Sequence, residues 1–296
     1  MRGIDLHFIH APGRTKEPMP LLLMHGWPGS IVEFGALIPL LTERFTVVAP
    51  SLPGFTLSFA PGQPRLGTEE MAELFAERMT GVLGYPRFAA QGGDWGAFVA
   101  SRLGYAYPER LIGIHLNLLA VRRDPRQLSS SPEGALYLQQ LAEWLKEETG
   151  YQWIQGTRPQ TLAYGLADSP AGLAAWIAEK FHAWSDNDGT IESAVARDAM
   201  LANISLYWFT GAIGSSFWPY YARVHGSWPV PFPVTVPTAY ASFPKEILRP
   251  PRAVAERMYT DIRRWTEMPK GGHFAALEQP AALANDVVAF FDALEV

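Results

Sequence analysis

The sequence Gly92-Gly93-Asp94-Trp95-Gly96 decides how the rest of this chain is interpreted. It follows an apolar stretch at 87–91 that is typical of a strand, and it precedes a helical pattern at 97–107. Small residues around one reactive side chain, between a strand and a helix, indicate the strained turn called a nucleophile elbow. The central residue of most such turns is serine, but here it is aspartate, and no G-x-S-x-G sequence occurs in the chain. The stretch therefore predicts a carboxylate nucleophile.

Short apolar or alternating segments predict the strands that surround this elbow. Strands are predicted at 4–9, 20–24, 45–49, 88–93 and 111–117, with helices at 30–41, 68–83 and 97–107. Ser30 and Glu33 have the spacing of a capping box for the first helix, and the proline- and glycine-rich segment 50–67 predicts a long loop. This alternation indicates an α/β fold, with a mostly parallel sheet that has helices on both faces.

The alternation stops near residue 118, and the chain then has a helical pattern up to about residue 232. Five helices are predicted in this block, at 132–149, 159–167, 170–184, 190–210 and 215–224. The sheet pattern resumes with predicted strands at 234–241 and 261–268 and a closing helix at 281–294. We therefore predict an α/β core formed by 1–118 and 233–296, with an inserted all-helical cap at 119–232. The proline-rich segment 228–233 is interpreted as the stiff linker that returns to the core.

The composition excludes several classes of protein. The 296 residues are 48% hydrophobic and contain no cysteine, which rules out disulfides, thiolate catalysis and cysteine metal sites. No histidine pair has metal-ligand spacing, so neither a metal nor a cofactor is expected. The net charge of −5 gives no reason to expect nucleic acid as a partner. The sequence shows no signal peptide and no run of 18 apolar residues, which predicts a soluble, cytoplasmic protein without a membrane anchor.

The partners of Asp94 follow from chain order. On the α/β-hydrolase fold, the acid and then the histidine follow the nucleophile. His273, in Lys270-Gly271-Gly272-His273-Phe274, precedes the closing helix as such a histidine should. Glu246 follows the strand predicted at 234–241 and is the candidate acid, although it could equally be a solvated glutamate, and Asp261 is the other carboxylate in reach. Five histidines lack this placement: His7, His10, His115, His182 and His225.

The sequence His25-Gly26-Trp27-Pro28 follows an early strand and suits an oxyanion hole. The backbone N–H groups of Trp27 and of Trp95, the residue after the nucleophile, would converge on one oxygen. An aspartate is already ionised at neutral pH, and it can displace a leaving group from saturated carbon. The product is an alkyl ester of Asp94, which water activated by His273 then hydrolyses.

The nature of the leaving group stays open at this point. A halide needs only N–H donors, which Trp95 could provide, whereas an epoxide oxygen needs an acid such as a neutral tyrosine. Several tyrosines of the predicted cap could supply that proton: Tyr151, Tyr164, Tyr207, Tyr220 and Tyr221.

Several longer motifs resemble those of one family: the chain resembles the microsomal-type epoxide hydrolases over nearly its whole length. The core motifs are HGWPGS at 25–30 with EF at 33–34, PSLPGF at 50–55, GGDWG at 92–96, FPKEI at 243–247 and GGHFAALEQP at 271–280. The cap motifs are GYQWIQGTRPQTLAYGLADSPAGLAAWIAEKF at 150–181 and YWFTGAIGSS at 207–216. The cap motifs separate this family from the haloalkane dehalogenases.

The resemblance implies a role for each candidate residue. It implies that Asp94 is the nucleophile, that Glu246 and His273 activate water, and that the Trp27 and Trp95 amides are oxyanion donors. It also implies that Tyr151 and Tyr220 bind and protonate the epoxide oxygen, with Tyr221 as the alternative to its neighbour. Three aromatic residues are expected to line an apolar substrate pocket: Trp153, Phe217 and Trp218.

The chain departs from the family in two places. It begins at the first predicted core strand, without the long N-terminal segment that family members usually carry and without the membrane anchor that some of them have. An arginine commonly occupies the position of Trp218, and Pro219 is expected to perturb the helix that carries Tyr220.

The resulting prediction is an epoxide hydrolase, a hydrolase acting on ether bonds, that converts small apolar epoxides and water to vicinal diols. The alternatives are a haloalkane dehalogenase with the same nucleophile and a catalytically impaired binding protein of this fold. A homodimer is compatible with the sequence. The sequence does not specify the physiological epoxide or the enantioselectivity.

Overall fold

A computed structural model describes residues 2–121, 131–226 and 232–294. Its sheet has seven strands: β1 (Phe8–Ala11), β2 (Met19–Met24), β3 (Phe45–Pro50), β4 (Phe88–Gly92), β5 (Leu111–Leu116), β6 (Thr238–Ser242) and β7 (Ile262–Glu267). The strand order is β1-β3-β2-β4-β5-β6-β7, and every neighbouring pair is parallel except β1 with β3. This is the predicted α/β-hydrolase sheet, with the elbow strand β4 at its centre.

Helices cover both faces of the sheet. Those of the core are α1 (Leu37–Leu41), α2 (Thr68–Glu77), α3 (Asp94–Ala106), α10 (Arg252–Ala255), α11 (Ala275–Glu278) and α12 (Pro280–Asp292). Because side chains alternate along a strand, Leu22 of β2 packs into the apolar cluster that contains α2 and α3. Its neighbour Leu23 packs into the opposite cluster, which contains α1 and α12.

The boundaries near the N-terminus differ from the predictions. The first strand is Phe8–Ala11 rather than 4–9, and it lies antiparallel at the sheet edge. The helix predicted at 30–41 is divided into a 3₁₀ turn, Ile31–Phe34, and α1. Ser30 caps this turn, since its hydroxyl accepts a hydrogen bond from the Val32 N–H at 3.2 Å. Such shifts are expected because patterns locate an element better than they locate its ends.

Between β5 and β6 the described residues 131–226, here called the helical region, form six helices. They are α4 (Pro132–Glu147), α5 (Gly150–Thr157), α6 (Pro159–Asp168), α7 (Pro170–Trp184), α8 (Arg197–Thr210) and α9 (Trp218–His225). Helix α5 was not predicted from the sequence, because it is short and begins at a glycine. The helix predicted at 190–210 begins only at Arg197, after a 3₁₀ turn. Most of the predicted linker 228–233 lies outside the described residues.

Buried hydrogen bonds attach the helical region to the turn that follows β2. The Asn203 amide donates to the Pro28 carbonyl at 2.8 Å, and the Tyr207 hydroxyl donates to the Gly29 carbonyl at 2.7 Å. Both side chains belong to α8 and are almost fully buried. Helix α8 therefore fixes the position of the turn that carries Trp27. Within the described ranges, we find no helix with the length and hydropathy needed to cross a bilayer.

A buried ionic cluster joins β5, β7 and α12. The Asp286 carboxylate accepts hydrogen bonds from His115 Nε2 at 3.0 Å, Arg264 Nε at 2.6 Å and Thr266 Oγ1 at 2.7 Å. Burial raises the pKa of Asp286, but these hydrogen bonds and the charge of His115 outweigh it and lower the pKa to about 2. The cluster therefore ties the closing helix to the sheet through an ionised carboxylate.

We expect Asp286→Asn to lower the free energy of unfolding at pH 7 by about 2–3 kcal/mol. A carboxyl group whose pKa is lower in the folded chain stabilises the fold above about pH 4 and loses that contribution between about pH 4 and 2. Urea denaturation should therefore show the full difference between wild type and variant at pH 7 and a smaller one at pH 3. Asp292→Asn is the matched control, since its exposed pair with Arg44 is worth about 0–1 kcal/mol. Equal midpoints for Asp286→Asn and wild type at pH 7 would contradict a stabilising role.

Candidate active site

Asp94 lies at the sharp turn between β4 and α3, as the sequence predicts. It has a φ of +46°, a left-handed conformation that is strained for a residue with a side chain. The turn fits only because its neighbours are glycines: a Cβ at Gly96 would lie 2.2 Å from the Met24 carbonyl oxygen. The turn thereby places the Asp94 side chain at the carboxyl end of the central strand.

Two backbone N–H groups point at the Asp94 carboxylate. The Trp27 N–H donates to Oδ1 at 2.8 Å, and the Trp95 N–H also hydrogen-bonds the carboxylate. These are the two donors named from the sequence. An oxyanion formed on the Asp94 carboxyl carbon would receive both hydrogen bonds.

The structure brings His273 and Glu246 to Asp94. His273 Nδ1 donates to Glu246 Oε1 at 2.7 Å, and Nε2 lies 3.6 Å from Asp94 Oδ2. Both His273 and Glu246 are buried. The alternative acid, Asp261, instead pairs with Arg263 near the surface. The structure therefore brings the predicted nucleophile, acid and histidine together, with a hydrogen bond between His273 and Glu246 and with His273 Nε2 close to Asp94.

The pKa values of Asp94 and His273 are both raised, for different reasons. Burial raises the pKa of Asp94, although the charge of His273 and the two N–H donors oppose the shift. Burial by itself would lower the pKa of His273. The Glu246 carboxylate, followed by the charges of Asp94 and Glu33, outweighs burial and raises that pKa to about 9. The neighbouring carboxylates therefore favour the protonated form of the His273 imidazole.

Tyr151 and Tyr220 meet above Trp27 in an aromatic cluster. The Tyr151 ring stacks on the Trp27 ring with centroids 5.3 Å apart, and the Tyr220 ring lies 5.7 Å from the Tyr151 ring. Both tyrosines are at least 96% buried, at 4% and 3% exposure. Burial raises both pKa values, and the nearby Asp94 charge raises them further, so both phenols are neutral.

Tyr220, rather than Tyr221, faces this cluster. Tyr220 also contacts the Trp95 ring, with centroids 4.8 Å apart, whereas Tyr221 stacks on Trp218 and His225. The expectation that Pro219 perturbs the helix is wrong. Helix α9 begins at Trp218, so Pro219 lies in its first turn, where a missing N–H costs no helical hydrogen bond.

The three residues expected to line a substrate pocket lie in different places. Phe217 is fully buried and packs edge-on against Trp27, with centroids 6.2 Å apart, so it belongs to the site. Trp153 follows Tyr151 by two residues on α5, faces the other way and is 64% exposed, so the structure does not bring it to Asp94. Trp218 lines an outer cleft of about 370 Å³ between the loop after β3 and the helical region. Its indole ring lies under the Arg65 guanidinium there.

A small cavity of about 20 Å³ adjoins Asp94 and His273, and Glu33, Gln91 and Asn117 also line it. Its volume and polar lining suit about one water molecule. Burial raises the pKa of Glu33 to about 8, with the Asp94 charge adding to the shift and His273 and the Ser30 N–H opposing it. The sequence pattern assigned Glu33 to a helix cap and to the EF motif. It could not predict that the Glu33 carboxyl group lies near His273, because that contact depends on the tertiary structure.

Two further polar side chains reach Tyr151 and were not identified from the sequence. The Gln152 amide donates to the Tyr151 hydroxyl at 2.8 Å. The Lys180 ammonium lies 4.7 Å from the centroid of the Tyr151 ring. Lys180 is part of the motif at 150–181, but nothing in a helical pattern shows which ring its ammonium approaches.

Comparison with protein families matches two regions of the chain. Residues 19–280 match the alpha/beta hydrolase fold family, and residues 1–34 match the family described as the epoxide hydrolase N terminus. The second match corrects one expectation in part, because residues 1–34 resemble a portion of the N-terminal segment that was expected to be absent.

Individual relatives match over nearly the whole chain. A Stigmatella aurantiaca protein, provisionally named an epoxide hydrolase, is 44% identical over 96% of this chain and 67% of its own length. Epoxide hydrolase 1 of Oryctolagus cuniculus is 36% identical over 100% of this chain and 73% of its own length. The crystal structure of juvenile hormone epoxide hydrolase from the silkworm Bombyx mori superposes with a TM-score of 0.88 at 33% identity. That superposition covers 99% of this chain and 78% of the silkworm chain.

Proposed function

Because the chain belongs to the epoxide hydrolases of the α/β-hydrolase fold, hydrolases that act on ether bonds, we propose that it opens epoxides through an ester of Asp94. The observation that supports this mechanism is a pair of neutral, buried tyrosines that are near enough to Asp94 for its charge to raise the pKa of both. A haloalkane dehalogenase would have no use for two such acids, because a halide leaves without a proton.

In the first step, Asp94 attacks one epoxide carbon and the carbon–oxygen bond breaks. Tyr151 and Tyr220 hydrogen-bond the epoxide oxygen, and one of them transfers its proton as the alkoxide develops. The product is a hydroxyalkyl ester of Asp94. The Trp27 N–H holds Asp94 Oδ1, which leaves Oδ2 as the attacking oxygen.

In the second step, His273 removes a proton from water, and the water oxygen attacks the carboxyl carbon of Asp94. Ester formation neutralises Asp94, and this removes one of the charges that raise the pKa of His273. The neutral imidazole, which is the form that acts as a base, is therefore more favoured in the ester than in the free enzyme. The oxyanion receives the Trp27 and Trp95 N–H groups. As it collapses, the His273 imidazolium protonates the departing diol oxygen, and the proton left on the Asp94 carboxyl group returns to the tyrosinate, which restores the ionised Asp94 and the neutral tyrosine.

We propose that the predicted insertion, 119–232, acts as a cap that supplies both tyrosines and encloses the substrate. The buried aromatic rings of Trp27, Phe217 and Trp184 around these tyrosines favour a small apolar epoxide. A cytoplasmic location and a homodimer stay predictions from the sequence.

One turnover in ¹⁸O-labelled water, with enzyme in excess over an epoxide such as styrene oxide, tests the ester mechanism. We expect the label in the Asp94 peptide by mass spectrometry and unlabelled diol, because the diol's new oxygen comes from the carboxylate. Label in the diol alone would show direct attack of water and would overturn the proposal. Halide release from haloalkanes without any diol formation from epoxides would favour a dehalogenase instead.

A further inference from the structure

Lys180 is a buried cation in the helical region. It lies on α7 with an exposure of 6%, although lysine is rarely buried to this degree. Its ammonium lies 4.7 Å from the centroid of the Tyr151 ring and 5.3 Å from that of the Trp184 ring. Both distances are within the range of cation–π contacts. A buried charge of this kind requires a stabilising environment, and two aromatic faces provide part of it.

Two glutamates also contact the ammonium, but from the solvent side. Glu179 lies 2.6 Å from Lys180 Nζ with a side chain 54% exposed, and Glu148 lies 3.7 Å away with a side chain 33% exposed. Both carboxylates reach solvent, which screens their charge, whereas the Tyr151 and Trp184 rings are buried. A negative charge that develops on the Tyr151 ring would therefore interact with the Lys180 ammonium with little screening by solvent.

We propose that Lys180 is a positioning residue that makes Tyr151, rather than Tyr220, the tyrosine that gives its proton to the opening epoxide. This rests on the proposed function, in which the two phenols bind the epoxide oxygen. A cation near a neutral phenol ring gains only the weak attraction of the ring quadrupole. Once the proton has left, the same cation faces a full negative charge at low dielectric, which is a much stronger attraction. Lys180 thus stabilises the transition state of ring opening more than the bound substrate.

The surroundings of the two tyrosines differ in a way that favours loss of the proton from Tyr151. Tyr220 contacts the rings of Trp27, Trp95 and Tyr151, and burial and the Tyr151 and Asp94 charges hold its pKa well above the usual range. A hydrogen bond from the Trp95 side chain opposes that shift, as the Gln152 amide does at Tyr151, so the cation against the ring is what distinguishes the two phenols. The Arg223 charge acts on both phenols in the same direction and does not distinguish them. Lys180 lies against Tyr151, and so does the amide of Gln152, which donates to the Tyr151 oxygen. A phenolate is therefore better stabilised at Tyr151.

A purely structural role for Lys180 is the rival explanation. The Trp184 ring packs both against the Tyr151 ring and edge-on against His273, with centroids 5.1 Å apart in the second pair. Loss of Lys180 could therefore misplace His273. That defect would slow hydrolysis of the ester as well as its formation, whereas a defect in acid strength would slow formation alone.

The test is a double-mutant cycle on single-turnover rates of ester formation and ester hydrolysis. Lys180→Met should slow ester formation about 10-fold and leave ester hydrolysis within about two-fold of wild type. Lys180→Arg, which keeps the charge, should recover most of the rate. In a Tyr151→Phe background, Lys180→Met should have no further effect. In a Tyr220→Phe background, it should again cost about 10-fold.

Two results would overturn the inference: an equal cost of Lys180→Met in both backgrounds, or equal slowing of both steps. If Lys180→Met does not fold, Lys180→Gln carries the same comparison, because its amide can still hydrogen-bond Glu148. Failure of the proposed function gives a different result. In that case neither Tyr151→Phe nor Tyr220→Phe slows ester formation, whatever residue 180 is.

Discussion

Asp94→Ala should lower kcat for epoxide hydrolysis by roughly 10⁴- to 10⁶-fold, the scale of losing the nucleophile of a catalytic triad. The covalent route needs a carboxylate 3.6 Å from His273 and hydrogen-bonded to the Trp27 N–H, and alanine offers no oxygen there. Water activated by His273 could still attack the epoxide carbon directly, but the faster route through the Asp94 ester is lost. Diol formation followed over hours by chromatography measures the residual rate.

The variant must be shown to be folded for this result to have meaning. The Asp94 carboxylate is buried and its removal also removes a desolvated charge, so we expect the thermal midpoint to change by only a few degrees. Asp168→Ala is the matched control, because Asp168 is exposed at the end of α6, and its activity should stay within about two-fold of wild type. Activity of Asp94→Ala within about ten-fold of wild type would exclude Asp94 as the nucleophile.

His273→Gln should trap the enzyme as the Asp94 ester. Ester formation does not need the imidazole as a base, whereas hydrolysis does, and a general base typically contributes about 10² to 10⁴ in rate. Intact-protein mass spectrometry after mixing with an epoxide should therefore show one added epoxide mass per chain. Steady-state turnover should fall by the same factor.

Glu246→Gln should have a milder effect on ester hydrolysis than His273→Gln. It keeps the imidazole but removes the carboxylate that contributes most to the raised pKa of His273. General-base catalysis needs the neutral imidazole, so hydrolysis is slow below the pKa of His273 and fast above it. The variant should therefore reach its half-maximal hydrolysis rate at a lower pH than wild type, with a lower plateau. No ester accumulation in His273→Gln at any pH would contradict the role of His273.

The proposed reacting groups were predictable because each follows from a turn motif or from its order along the chain. Asp94 is identified by glycines that only a tight turn requires, and His273 and Glu246 by their order after particular strands. The parallel sheet then brings these three loops to one edge, as the distances of 2.7 and 3.6 Å show. Chain order and sheet topology together determine the positions of Asp94, His273 and Glu246.

The surroundings of Tyr151 were not predictable in the same way. Helix α5 is too short for a clear periodic pattern, so the opposite orientations of Tyr151 and Trp153 could not be assigned. The contacts of Lys180 and Glu33 join segments far apart in sequence, and such contacts depend on how the helices pack. Lys180 was explained as part of a motif and Glu33 as a helix cap, and neither explanation predicts a contact with the site.

The turn after β2 is hydrogen-bonded both to α8 and to Asp94. The carbonyl groups of Pro28 and Gly29 are hydrogen-bonded to Asn203 and Tyr207, and the adjoining Trp27 N–H is the one that holds Asp94. We expect a displacement of α8 that breaks these bonds to disturb the N–H group that orients Asp94 as well. Movement of the proposed cap would then be coupled to the orientation of the proposed nucleophile.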